Sequence, residues 1–276
     1  MGEPFTEYRE VTAADPLRQG DVLEAVDPGA TIWDRHLVVI TADCDLAFDK
    51  HRGRVTCVPL LAEDDYLSEM QIPKIRDRLV ARAIVDLQAT MARLGLPKVS
   101  THRLREWVGE EEPAEIVALL KLRDREAEAV RRSLESIRRM DSEALTLNEA
   151  VEALVDGQLM GPNPPKRENA LGRVMPPLRS NYTQPPGDAF FLGSIAPGQA
   201  AGYFAYLRYL KQIWEPCIAL GPKRQEVTYR RIARLRDKFT HALVQRFALV
   251  FMSIGLPTEY EDVRDLHSEV LEATFS

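Results

Sequence analysis

Asp43, Cys44 and Asp45 stand side by side in LVVITADCDLAFDKHRGRVTCVPL, residues 37–60, where a Val-rich run gives way to a polar turn. Acids and a thiol in that setting admit several chemistries. Two carboxylates on one face of a strand, with Asp49, Asp64 or His51 completing the set, would hold a divalent cation. Cys44, with His51 or His36 as its base, would be a nucleophile if a cation or a helix N-terminus lowered its pKa. No neighbouring residue supplies that setting. His36, His51, Cys44 and Cys57 are close in sequence but follow no zinc-ligand spacing. Against these stands a plainer reading, in which an aspartate caps the turn and the thiol is buried. That reading is preferred, so no metal or cofactor is expected.

Cations form the second group of candidates. Arg131-Arg132 and Arg138-Arg139 recur seven residues apart and make one basic edge of a predicted helix. Lys223-Arg224, Arg230-Arg231 and Arg234 with Arg236 form another cluster near the start of a second long helix. Either edge could meet RNA phosphates or an acidic protein, and either could be a solvated face paired with Glu126, Glu128, Glu135, Glu226 or Asp237.

The elements that must position these residues follow from periodicity. Short strands dense in Val and Ile are predicted around Val22, over 36–41 and over 54–60, with a turn at Lys50-His51-Arg52-Gly53. Apolar residues every three or four positions predict a helix over 74–94, ended by Gly95 and Pro97, and a shorter one over 101–108. A single long helix over 114–140 carries a heptad-like seam interrupted by Arg123, and a further helix over 147–155 is stopped by Gly157. The Pro-rich run GPNPPKRENALGRVMPPLRSNYTQPPG, within 157–187, predicts irregular chain: a linker, a recognition segment or a cleavage site. Strands return over 189–195 and 203–213. A helix over 228–254, stopped by Gly255 and Pro257, carries the stripe Leu235, Phe239, Ala242, Leu243, Phe247, Val250, Phe251 and Ile254, which would cover the sheet or form a dimer face. The tail is acidic.

Strands, then helices, then strands, then a helix is not the alternation of a parallel doubly wound sheet. It predicts an α+β fold: a small antiparallel barrel with a large helical insertion and a long C-terminal helix. The parts are 1–61 for the first half of the barrel, 62–156 for the insertion, 157–187 for the connector, and 188–276 for the second half with its helix. With 45% apolar and 28% charged residues in 276, the chain has ample material for a core. A net charge of −6 gives no global field favouring nucleic acid. Three scattered cysteines, a polar N-terminal stretch and no long apolar run point to a reducing cytoplasm, without a signal peptide or membrane anchor.

The order QGDVLEAV, HLVVITADCDL, RVTCVPLL and, much later, YFAYLRYLKQI resembles the MazF/PemK-type toxin barrel, an SH3-like fold. The resemblance covers about the first 61 and the last 75 residues. It implies an endoribonuclease toxin, usually dimeric and neutralised by an antitoxin, cutting single-stranded RNA with an Arg followed by Ser or Thr near the strand ending VTCVPL. At that place this chain has Glu63, Asp64 and Asp65, which would repel a phosphodiester. The favoured expectation is therefore a non-catalytic protein-binding or regulatory protein of a toxin–antitoxin or phage-defence system. It would bind another protein through Arg131, Arg132, Arg138, Arg139, Arg230, Arg231 and Arg234, with RNA and a second copy as the other partners considered. The alternative is a diverged ribonuclease using Asp45 or Asp64 as base, and Arg54 and Arg208, with Arg52 or Lys211, for phosphate.

Overall fold

The computed structural model describes residues 5–122, 124–221, 226–252 and 258–275. Arg123, Lys223, Arg224, Ile254, Gly255 and Pro257, to which the sequence assigned roles, lie outside them. The chain divides into two compact units: Met1–Leu60 with Pro186–Ala200 and Ala205–Ser276, and Leu61–Pro185 with Ala201–Phe204. No helix is long and apolar enough to cross a membrane among the described residues.

The first stretch of chain gives β1 (Tyr8–Arg9), β2 (Asp21–Ala25), α1 (Ile32–Arg35), β3 (His36–Val39), α2 (Asp43–Ala47) and β4 (Arg54–Ala62). The helices α3 (Glu63–Tyr66), α4 (Ile72–Arg93), α5 (Thr101–Glu110), α6 (Pro113–Leu119), α7 (Asp124–Met140), α8 (Leu147–Met160) and α9 (Arg167–Thr183) follow. The chain then returns through β5 (Ala189–Leu192), β6 (Tyr203–Tyr206), β7 (Lys211–Trp214), β8 (Ile218–Ala219) and β9 (Tyr229–Leu235) to α10 (Asp237–Met252) and α11 (Thr258–Phe275).

The fold is α+β. The strands form one curled, half-barrel sheet in the order β1-β9-β2-β3-β4-β6-β5, with β7 on β4 and β8 on β9. β1 with β9, β2 with β3 and β9, β3 with β4 and β4 with β7 pair antiparallel, whereas β8 runs parallel to β9. Leu23, Leu37, Val39, Val55, Cys57, Ile213, Ile218 and Tyr229 pack into a core with Leu17. Gly20 makes the entry to β2 possible. Its φ is +87°, and a Cβ there would stand 2.3 Å from Thr240 Oγ1. Its N–H donates to Val39 and its carbonyl accepts from Leu235.

In the second unit α4, α7 and α8 form the centre, with Ile84, Leu87, Val130, Leu134, Ile137 and Leu154 fully buried. Gly157 lies inside α8 and does not end it. A Cβ there would stand 2.3 Å from Met140 Cγ and 2.9 Å from the Ser136 carbonyl, so the glycine permits α8 to lie directly on α7.

Several predicted elements are corrected. The helix over 114–140 is two, because Lys121 adopts a left-handed φ of +54° and ends α6. The Pro-rich run is mostly helical: α9 contains Pro176 and Pro177 and buries Ala170, Val174, Leu178 and Asn181 at helical spacing. Burial of that stripe outweighs the helix-interior cost of proline, about 3 kcal/mol each. The strand over 203–213 is β6 and β7 with a turn between. The helix over 228–254 starts late, since residues 229–233 alternate between buried and more exposed positions and residues 229–235 enter the sheet as β9.

Candidate functional site

Asp43, Cys44 and Asp45 start α2, so the paired-face geometry of a strand does not apply to them. Asp43 Oδ1 accepts the Gln19 N–H at 2.8 Å, a structural bond to the chain before β2. Cys44 is exposed, contrary to the buried thiol expected, because helix α2 turns it outward from the sheet. Its sulfur lies 3.7 Å from Asp45 Oδ1, beside a carboxylate and not a cation. Cys57 is fully buried, and that burial pushes its thiol well above the ordinary range. Among the described residues no three His, Cys, Asp or Glu side chains converge to hold a metal ion.

What the turn does build is a histidine clamp. His51 Nδ1 lies 3.0 Å from the Asp45 carbonyl and Nε2 lies 2.7 Å from Glu215 Oε2, with the His51 side chain 4% exposed. A carbonyl and a carboxylate are both acceptors, so both ring nitrogens donate and the imidazolium is the favoured form. The Glu215 bond first, and the Asp45 bond second, hold the His51 pKa above its ordinary value. Glu215 is 164 residues from His51 and no sequence signal announces it.

The cations proposed for phosphate contact are mostly occupied. Arg208 is ion-paired with Asp188 at 2.9 Å and Lys211 with Asp34. Burial works against the Lys211 charge, but its bonds to Asp34 and Tyr229 outweigh it and hold the pKa up. Arg54 lies over the Trp214 ring, 5.4 Å from its centroid. Asp64 belongs to the other unit, where Glu63, Asp64 and Asp65 occupy the first turn of a helical run that continues into α4. Acids there complement the helix dipole. Glu63 also accepts a 3.0 Å bond from the Tyr182 hydroxyl.

The described arginines of the second basic cluster divide between surface and interior. Arg230 is exposed and pairs with Glu24, whereas Arg231 and Arg234 are buried on Asp21, which has no exposure at all. The expectation of an exposed partner surface at Arg231 and Arg234 is therefore corrected. Asp21 pairs with Arg234 and Leu23 with Arg231 across the sheet, with Ile232 bulged between them. The bulge puts both arginines on the Asp21 face. Arg234 also donates to the Pro16 carbonyl, and Arg231 to those of Thr12, Asp15 and Pro16, so the pair fastens the loop before β2.

On α7, Arg131 meets Glu128 and Glu135, Arg132 meets Glu128, Arg138 meets Glu112 and Arg139 meets Asp156. That edge is a laced, exposed helix face.

Large apolar side chains are exposed on the terminal helices. α10 buries Thr240 and Leu243 and leaves Leu249, Phe251 and Met252 exposed. On α11, Tyr260, Val263, Leu266 and Val270 are each more than half exposed. Their spacing of three, three and four places them in one stripe. The 3.6-residue period of the tail carries this signal in the sequence.

No family model, curated protein or solved structure matches the chain.

Proposed function

We propose that this is a non-catalytic protein-binding protein, built on a MazF/PemK-like barrel with a helical insertion, and that it docks its partner through α11. The observation that carries the proposal is the exposed row Tyr260, Val263, Leu266 and Val270. Burying such side chains stabilises a complex by about 1.5–3 kcal/mol each before the costs of association. The helix sequence sets that row among six acids, with Arg264 as its one arginine. A second copy would bring like charge against like, so the fitting partner is an amphipathic segment with apolar anchors and flanking Lys or Arg. A toxin–antitoxin or phage-defence setting accords with the resemblance of the barrel strands.

The ribonuclease alternative is weakened because Arg208 and Lys211, two of its phosphate cations, are each held by a carboxylate, and Arg54 lies over the Trp214 ring. A cleavage groove needs cations that gain a partner on meeting phosphate.

The test is affinity capture from the native host, then reconstitution of the complex from two purified components, with RNA cleavage assayed on the same material. One stoichiometric protein partner is expected, bound less tightly at high salt and lost on Val263→Glu with Leu266→Glu. Recovery of RNA with defined cut ends, or binding unchanged by the double substitution, would overturn the proposal.

A further inference from the structure

A cavity of about 350 Å³ opens among α4, α7, α8 and α9, wholly within the second unit. That volume suits a small organic ligand. Three arginines line it: Arg82 and Arg93 from α4 and Arg173 from α9, against one carboxylate, Asp86. On the same unit Arg105, Arg131, Arg138 and Arg167 each meet a carboxylate at 2.9 Å or less. The three cavity arginines meet none among the described residues. Arg93 has only the Thr90 hydroxyl at 3.0 Å, Arg173 only the Gln158 amide oxygen at 3.2 Å, and Arg82 neither a hydrogen bond nor an ion pair.

Gln158 shows that one of these cations is positioned. It is buried, and its Nε2 donates to the carbonyls of Leu154 at 3.0 Å and Ala170 at 3.4 Å. The amide orientation is thereby fixed, so Oε1 is left to accept from Arg173. Leu79, Ala83 and Met140 give the cavity an apolar part, while Arg82, Arg93 and Arg173 are exposed to solvent.

We infer that this cavity binds a small phosphomonoester, its phosphate between Arg82 of α4 and Arg173 of α9, with Arg93 three turns along α4 adding charge at longer range, and its organic part against the apolar lining. Three arginines and one carboxylate leave the lining with a net positive charge, which suits a group carrying about −1.5 to −2 charge near pH 7. The planar forks suit phosphate oxygens better than a single carboxylate of lower charge. A sugar phosphate and a mononucleotide share this chemistry. The inference is independent of the docking role of α11.

Calorimetric titration of the full chain with ribose 5-phosphate, adenosine monophosphate, ribose, adenosine and inorganic phosphate tests it. One of the two phosphomonoesters is expected to bind at least about tenfold more tightly than inorganic phosphate, and the tighter of them identifies the source. Ribose and adenosine are expected not to bind. Arg173→Gln and Arg82→Gln are expected to weaken binding about tenfold, and Arg179→Gln, on α9 but away from the cavity, to leave it unchanged. Asp86→Asn is expected to tighten it, an effect that damage to the fold would not produce. Absence of binding by both phosphomonoesters, or binding indifferent to the three cavity substitutions, would overturn the inference.

Discussion

Arg231 and Arg234 on β9 and Arg131, Arg132, Arg138 and Arg139 on α7 are alike in sequence: arginines in close repeats with acids nearby. Their physical roles are opposite. The β9 pair sits with Asp21 out of contact with water and fastens the loop at Thr12, Asp15 and Pro16. The α7 set is laced to acids on a face where each arginine side chain keeps two-fifths to a half of its exposure. A buried charge cannot lose its partner cheaply, while a solvated one hardly registers the loss. The number of arginines therefore says little about a surface until the period of the element, two or 3.6, is known.

The widest separation between the two regions should come from Asp21→Ala. It leaves two guanidiniums buried without their counter-ion and is expected to cost about 3–5 kcal/mol, read by urea unfolding. Replacing all three charges together, Asp21→Leu with Arg231→Met and Arg234→Met, should restore part of that loss, the carbonyls of Thr12, Asp15 and Pro16 still losing their donors. If the single change is as mild as a surface substitution, the contrast fails.

A smaller effect is expected within the second unit away from charge. Gly157→Ala forces a Cβ against Met140 and the Ser136 carbonyl and should cost about 1–3 kcal/mol, read as a lowered thermal midpoint. The same substitution at Gly172, where a Cβ would meet nothing, should be near neutral or stabilising.

The His51–Glu215 pair lies between the extremes, with a covered imidazole and a partly exposed carboxylate. The folded pKa of His51 is raised, so its contribution is fully present below the unfolded value near 6.5 and is lost as pH rises through the folded pKa. Stability should therefore fall with rising pH across that window, by about 1 kcal/mol or less, since Glu215 is partly exposed. Glu215→Gln should flatten the dependence. The least effect is expected from Arg131→Ala or Arg138→Ala, each unfolding in urea almost as the unaltered protein does, with any difference smaller still in high salt.

Where local pattern and burial agreed, the fold was legible. The Val-rich strands, α4 and the joining of early and late strands in one sheet could be read because apolar periodicity reports which face is covered. Proline misled over α9, since local propensity says nothing about the stripe Ala170, Val174 and Leu178 that packs it. Residues 229–235 misled because a bulge at Ile232 mixes the two periods. Long-range pairs were beyond reach: nothing local links His51 to Glu215, or Asp21 to Arg231 and Arg234. Arg54 and Arg208 were legible as cations, but only coordinates show one on Trp214 and the other on Asp188.

Hydrogen exchange of the purified protein, alone and with its reconstituted partner, addresses the docking claim most directly. Free α11, with its apolar row exposed, should exchange quickly, and the partner should protect residues 258–270 while leaving α4 and α7 unchanged. Protection confined to α4 and α7, with α11 exchanging as before, would contradict the account and return the binding surface to the helical insertion.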